Sequence, residues 1–210
     1  MRLVAFGDKN LVGGKNAPYH LANKLGYEFQ DMTTSTSGPQ SVFRLVTKYI
    51  SQNENIFPVI GWNNVHSVEL RRIYKKFPVD GFIDKNYFTF HKRQKNLEIE
   101  FQRLIRFEHI LTDEYLTNIR WCSIVYSLQE FLKSLDINYL MYNIETSIEW
   151  NSYTLYMIKN IDRTKYIGVE NPKASIRKYV KKLKQNFDTV DGQKLIAKLL
   201  NERNIPWIYD

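Results

Sequence analysis

The sequence predicts an α/β protein: a three-layer α/β/α sandwich around a central parallel sheet, with one aromatic and basic insertion. Three observations lead there. Short apolar runs free of internal charge, in "RLVAFG", "IFPVIGW" and "NYLMYN", read as strands covered on both faces. Amphipathic segments lie between the first of these runs, and the resulting β-α-β-α-β order favours parallel pairing through right-handed crossovers. A length of 210 residues suits one well-buried core, so residues 1–210 form a single domain.

Each element has its own signal. Val4 and Phe6 lie in the first strand. In "NAPYHLANKLG", Pro18 falls in the first helical turn, Gly26 follows the last, and Leu21 and Leu25 stand four apart. "YEFQDM" alternates Tyr27, Phe29 and Asp31 with Glu28 and Gln30, a short strand that leads into the polar loop "TTSTSGPQ". From 41 to 52, Val42, Leu45, Val46, Tyr49 and Ile50 make one buried helical face. The third strand holds Val59 and Ile60, although Pro58 argues against a central place because it has no N–H to give a ladder.

Residues 75–97 lack a clean period and are dense in aromatics and bases, as an insertion or lid would be. Tyr87, Phe88 and Phe90 within it suit either association or a covered strand. Helical rhythm resumes over 98–110 through Ile99, Arg103, Leu104, Phe107 and Ile110. Thr112, ahead of Asp113 and Glu114, caps a long helix that reaches the strand "NYLMYN". Past Asn143 the pattern is mixed, with room for short helices. "KASIRKYVKKLKQNF" then sets Ile176, Val180, Leu183 and Phe187 against Arg177, Lys178, Lys181, Lys182 and Lys184, and a closing helix begins near Asp191.

Bulk properties narrow the function classes. Thirty Lys and Arg against 22 Asp and Glu give a net charge of +8, which favours anionic partners, although the spread of the bases along the chain makes solubility the plainer reading. The single cysteine, Cys122, excludes an internal disulfide and suits a reducing compartment; beside Trp121 it reads as a buried thiol. No run approaches the roughly 20 apolar residues of a membrane span, and "MRLVAFGD" starts a strand with no signal-peptide stretch. A cytoplasmic protein without membrane contact is expected. His91, His109 and the acids show no ligand spacing, so neither metal nor other cofactor is expected.

The chemistry-bearing stretch is "LVAFGDKNLVGG". A phosphate loop needs a glycine five residues before the Gly14-Lys15 pair and a Ser or Thr after it; Lys9 and Asn16 stand there, so the spacing fails at both ends.

The order of blocks "AFGDKNLVGG", "SGPQ", "GWNN", "NYLMYN" and "FDTVDGQKLIAKLL" resembles that of the SGNH (GDSL) hydrolase superfamily, in particular its small phage-type members. The resemblance covers most of the chain and implies ester hydrolysis by a serine nucleophile with an oxyanion hole from Ser, Gly and Asn. Gly7 and Asp8 match the opening pair, Gly13 a glycine beyond it, Gly38 the second block and Asn63 the amide of Gly-x-Asn. Asp8, Gly38 and Asn63 would therefore line an oxyanion-like pocket. Lys9 stands at the serine position. With "GQKLIA" fixing the register at Gly192, Phe187 falls at the catalytic histidine and Lys184 at its aspartate.

An unperturbed lysine, with a pKa of about 10.4, is protonated at neutral pH and cannot attack an ester, and Asp8 beside Lys9 favours the ionised form. The resemblance thus implies a catalytically degenerate, phage-encoded protein kept for binding or assembly, in the host cytoplasm or on the virion, with a protein partner or an anionic ligand. An active esterase or carbohydrate deacetylase would instead need a relocated nucleophile, Ser35 or Ser37, with His20 or His66 as base. A third reading makes Arg177, Lys178, Lys181 and Lys182, with "HKRQK" at 91–95, a nucleic-acid face.

Overall fold

The computed structural model of the chain describes residues 1–7, 15–34, 38–62, 68–71, 87–90, 114–144, 152–167, 169 and 176–202. In chain order the elements are β1 (Arg2–Gly7), α1 (Ala17–Leu25), β2 (Glu28–Asp31), α2 (Pro39–Ile50), β3 (Ile56–Trp62), β4 (Val68–Arg71) and β5 (Tyr87–Phe90). They continue with α3 (Glu114–Ser134), β6 (Leu140–Asn143), α4 (Ser152–Asn160), β7 (Tyr166–Ile167), α5 (Ile176–Lys182) and α6 (Val190–Glu202).

Five strands make one parallel sheet in the order β2-β1-β3-β6-β7. Strand order reverses between β1 and β3, and in such doubly wound sheets the carboxyl ends of the strands at that reversal border a crevice. The charge-free runs form these strands because both of their faces are covered. Successive side chains point to opposite faces: Leu3, Phe57, Val59, Leu140, Tyr142 and Ile167 pack with α1, α5 and α6. Val4, Phe6, Ile60, Trp62, Met141 and Tyr166 pack with α2, α3 and α4 on the other side. Complete burial of a large aliphatic side chain such as Leu3 contributes about 1.5–3 kcal/mol.

Pro58 occupies a central strand after all. The Trp62 carbonyl accepts from the Ile144 N–H on the β6 side, and alternate residues of a strand present their backbone groups to the same neighbour, so Pro58 also turns toward β6. The β3–β6 register starts only at Val59↔Leu140. The missing N–H therefore falls one residue before that ladder begins.

Three helices end in the same way. The N–H of Tyr27 reaches back to the Ala22 carbonyl, that of Ile137 to Leu132 and that of Gln185 to Val180. Each closure places one residue in the left-handed region: Gly26 (φ 69°), Asp136 (φ 53°) and Lys184 (φ 56°). The last of these corrects the sequence reading of one long amphipathic segment through Phe187. Helix α5 stops at Lys182, and Leu183, expected on its buried face, is exposed. Leu25 is likewise exposed.

Within the segment read as an insertion, 75–97, residues 87–90 form β5, which pairs antiparallel with β4 in a separate two-stranded sheet; the rest of that segment lies outside the described residues, as do 98–110 and Thr112. Among the described residues, no helix is long and apolar enough to cross a membrane.

Candidate functional site

At the carboxyl edge, β1 leaves the sheet through Gly7, whose φ of 107° suits glycine alone. A Cβ there would lie 2.0 Å from the carbonyl oxygen of Gly61, its register partner on β3. The glycine of the "GD" pair is thus required by the close approach of two strand ends. Asp8, Lys9 and Gly13, which follow it, lie outside the described residues, as do Asn63, Ser35, Ser37, His66, His91 and His109.

The chain returns at Lys15, and α1 starts with its first turn already satisfied. Asn16 is the N-cap: its Oδ1 accepts the Tyr19 N–H at 3.0 Å and its carbonyl the His20 N–H at 3.2 Å. Pro18 has no N–H. The Ala17 N–H donates to Gln193 Oε1 at 2.8 Å, from the start of α6. Gln193 Nε2 in turn donates to the Phe187 carbonyl at 2.8 Å. One buried amide thereby ties α1, α6 and the turn before α6 together. A helix N-terminus attracts anions through its unsatisfied N–H groups, and here those groups are bonded internally.

Around this clasp lies a small crevice lined by Asn16, Ala17, Pro18, Thr33, Tyr142, Phe187, Gln193 and Ile196. It is narrow and partly open, with room for about one water molecule between its described walls. Thr33 is held by Asp31, whose Oδ1 accepts both the Thr33 N–H at 2.9 Å and its hydroxyl at 2.6 Å.

Phe187, the residue aligned with the catalytic histidine of the resembled family, is buried in the crevice wall with the Arg177 guanidinium 4.7 Å from its ring centroid. Arg177 also pairs with Asp188 at 3.2 Å. Lys184, aligned with the aspartate, is exposed and serves as the left-handed residue that closes α5. Gly38 caps α2, and its N–H, the expected oxyanion donor, donates to Ser41 Oγ at 2.9 Å. Lys181 and Lys182 are exposed in the last turn of α5, which also contains Lys178.

His20, a candidate base, does not line the crevice. Its ring packs edge-on to Tyr19 with centroids 5.4 Å apart, and Nε2 is buried without a hydrogen-bond partner among the described residues. Burial lowers its pKa, and the charges of Lys194 and Lys15 lower it further. Neutral imidazole is therefore favoured. Cys122 is fully buried, and burial pushes its thiol up to about 12, so it is an unreactive core residue.

The structure brings Phe187 together with Asn16, Thr33, Tyr142 and Gln193, and the last four were not singled out from the sequence. Asn16 had a readable signal, an Asn two positions ahead of a helix-starting proline. Gln193 had none, because its partner Ala17 is 176 residues away.

Fold and site together define a doubly wound α/β protein with a narrow, internally hydrogen-bonded crevice at the carboxyl edge of its sheet. No protein-family model matches the sequence, and no curated protein matches it significantly.

Proposed function

We propose that this protein is a non-catalytic, SGNH-hydrolase-like binding or assembly protein. The observation that carries the reading is Phe187: where the resemblance expects a catalytic imidazole, a phenyl ring fills the crevice wall beneath the Arg177 guanidinium. A hydrolytic site needs a nucleophile within hydrogen-bond reach of its base, and room for the acyl group beside both. Between its described walls, the crevice has room for about one water molecule. Its described polar groups hold structure together, with Gln193 bridging two backbone groups and the Gly38 N–H bonded to Ser41. Lys9 stands at the serine position, and a lysine attacks an ester only once it is deprotonated.

Hydrolysis of p-nitrophenyl acetate tests the reading. The expected rate equals that of the uncatalysed buffer reaction plus nonspecific surface lysine chemistry, unchanged in Ser35→Ala and Ser37→Ala. Turnover abolished by either substitution would overturn the proposal in favour of an esterase with a relocated nucleophile.

A further inference from the structure

Opposite the crevice, on the sheet face covered by α2, α3 and α4, two residues that each carry a buried donor are neighbours across the sheet. Trp62 ends β3 and Asn143 ends β6; they are register partners. Their side chains share one face, since Trp62 packs in the same cluster as Tyr166 and the Tyr166 hydroxyl donates to Asn143 Oδ1. With Oδ1 engaged as the acceptor of that bond, Nδ2 is the group left to donate. Neither Asn143 Nδ2 nor Trp62 Nε1 has a hydrogen-bond partner among the described residues. The two residues are only 1% and 2% exposed, respectively, so bulk water does not satisfy them.

Buried donors without acceptors are rare in folded proteins because each forfeits its hydration. Two such donors on register-paired residues of neighbouring strands are consistent with a shared acceptor. We propose that Trp62 Nε1 and Asn143 Nδ2 together hold one uncharged oxygen acceptor, the carbonyl or hydroxyl of a ligand or an internal water, under the carboxyl edge of β3 and β6.

The surroundings select an uncharged group. The Trp121 ring packs 6.1 Å from both the Trp62 and the Tyr166 rings, and burial keeps the Cys122 thiol and the Tyr166 phenol protonated at neutral pH. An anion placed among aromatic rings with only neutral donors would lose its hydration without a counter-charge. A carbonyl oxygen, with two lone pairs, accepts from both donors at once. The site lies on the other side of the sheet from the crevice and does not depend on the non-catalytic reading.

Nuclear magnetic resonance of ¹⁵N-labelled full-length protein tests it, with the Trp62 indole N–H identified by its loss in Trp62→Phe. Acetamide serves as the neutral probe and acetate as the charged one. A ligand site gives saturable shifts of both the Trp62 indole and the Asn143 side-chain amide with acetamide, and at least tenfold weaker binding of acetate. An internal water instead gives a cross-relaxation peak between the Trp62 N–H and a long-lived water, with no acetamide response. Either result carries the proposal. A Trp62 N–H showing neither would overturn it, and so would a response confined to Trp62 with the Asn143 amide silent. Asn143→Leu should abolish the Trp62 response; if that variant does not fold, the wild-type Asn143 amide decides the same question.

Discussion

The two faces of the sheet treat buried amides in opposite ways at the same edge. Beneath α1, α5 and α6, Gln193 spends both ends of its side chain on backbone partners, the Ala17 N–H and the Phe187 carbonyl. Beneath α2, α3 and α4, Asn143 spends only its oxygen, on Tyr166, and its nitrogen and the neighbouring Trp62 indole remain unpartnered among the described residues. One amide is a structural clasp, and the other keeps a donor that no described residue engages. A buried amide bonded at both ends is explained by the fold alone, whereas one bonded at a single end keeps a donor that the described residues leave unengaged.

The largest expected effect falls on the edge that both faces share. Gly7→Ala would force a Cβ to within 2.0 Å of the Gly61 carbonyl at a φ of 107°, and should destabilise the protein by more than about 3 kcal/mol in urea unfolding. An effect below about 1 kcal/mol would mean that the β1 and β3 ends are further apart. Gln193→Leu comes next. It strands a buried N–H and a buried carbonyl, for a loss of about 2–4 kcal/mol.

Asn143→Leu sharpens the contrast between the faces. If Nδ2 held nothing, removing it would recover part of the cost of an orphaned donor, of order 1–2 kcal/mol, against a similar loss at Tyr166. With an acceptor bound, the variant should lose about 1–3 kcal/mol net, read from the shift in denaturation midpoint.

A smaller effect of opposite sign is expected at Lys184. Its φ of 56° closes α5, so Lys184→Gly should stabilise the protein by up to about 1 kcal/mol. A residue retained there for catalysis would instead show its effect in activity.

The smallest is a pH effect. The His20 pKa is lowered in the fold by burial and by the charges of Lys194 and Lys15. Below about pH 6.5, the ordinary value, the unfolded chain binds the proton more readily, so stability falls as pH drops toward the folded-state pKa. His20→Gln should flatten that decline between pH 7.5 and 5, and an unchanged slope would show that neither burial nor the two lysines lower the imidazole pKa.

Much of the fold was legible because its signals are local. Charge-free runs marked β1, β3 and β6, three- and four-residue spacing marked α2, and the Pro18-to-Gly26 punctuation bounded α1. The two-residue strand β7 is too short to show a period, and the nine-residue helix α4 lacks the proline and glycine that bounded the equally short α1. Leu183 was misplaced because periodicity alone does not reveal a helix end made by a lysine in the left-handed region. Of the site, the sequence supplied Phe187 and Gly38 as positions, and the structure supplied what surrounds them.

By itself, then, the sequence determined the alternation of helix and strand and hence the layered parallel sheet, because side-chain periodicity acts between residues a few positions apart. Only the tertiary structure decided which buried amides are satisfied. Ala17 meets Gln193, and Trp62 stands beside Asn143, across separations that no local pattern encodes; packing of the layers sets those distances, and a hydrogen bond exists only where packing brings its two ends within about 3 Å.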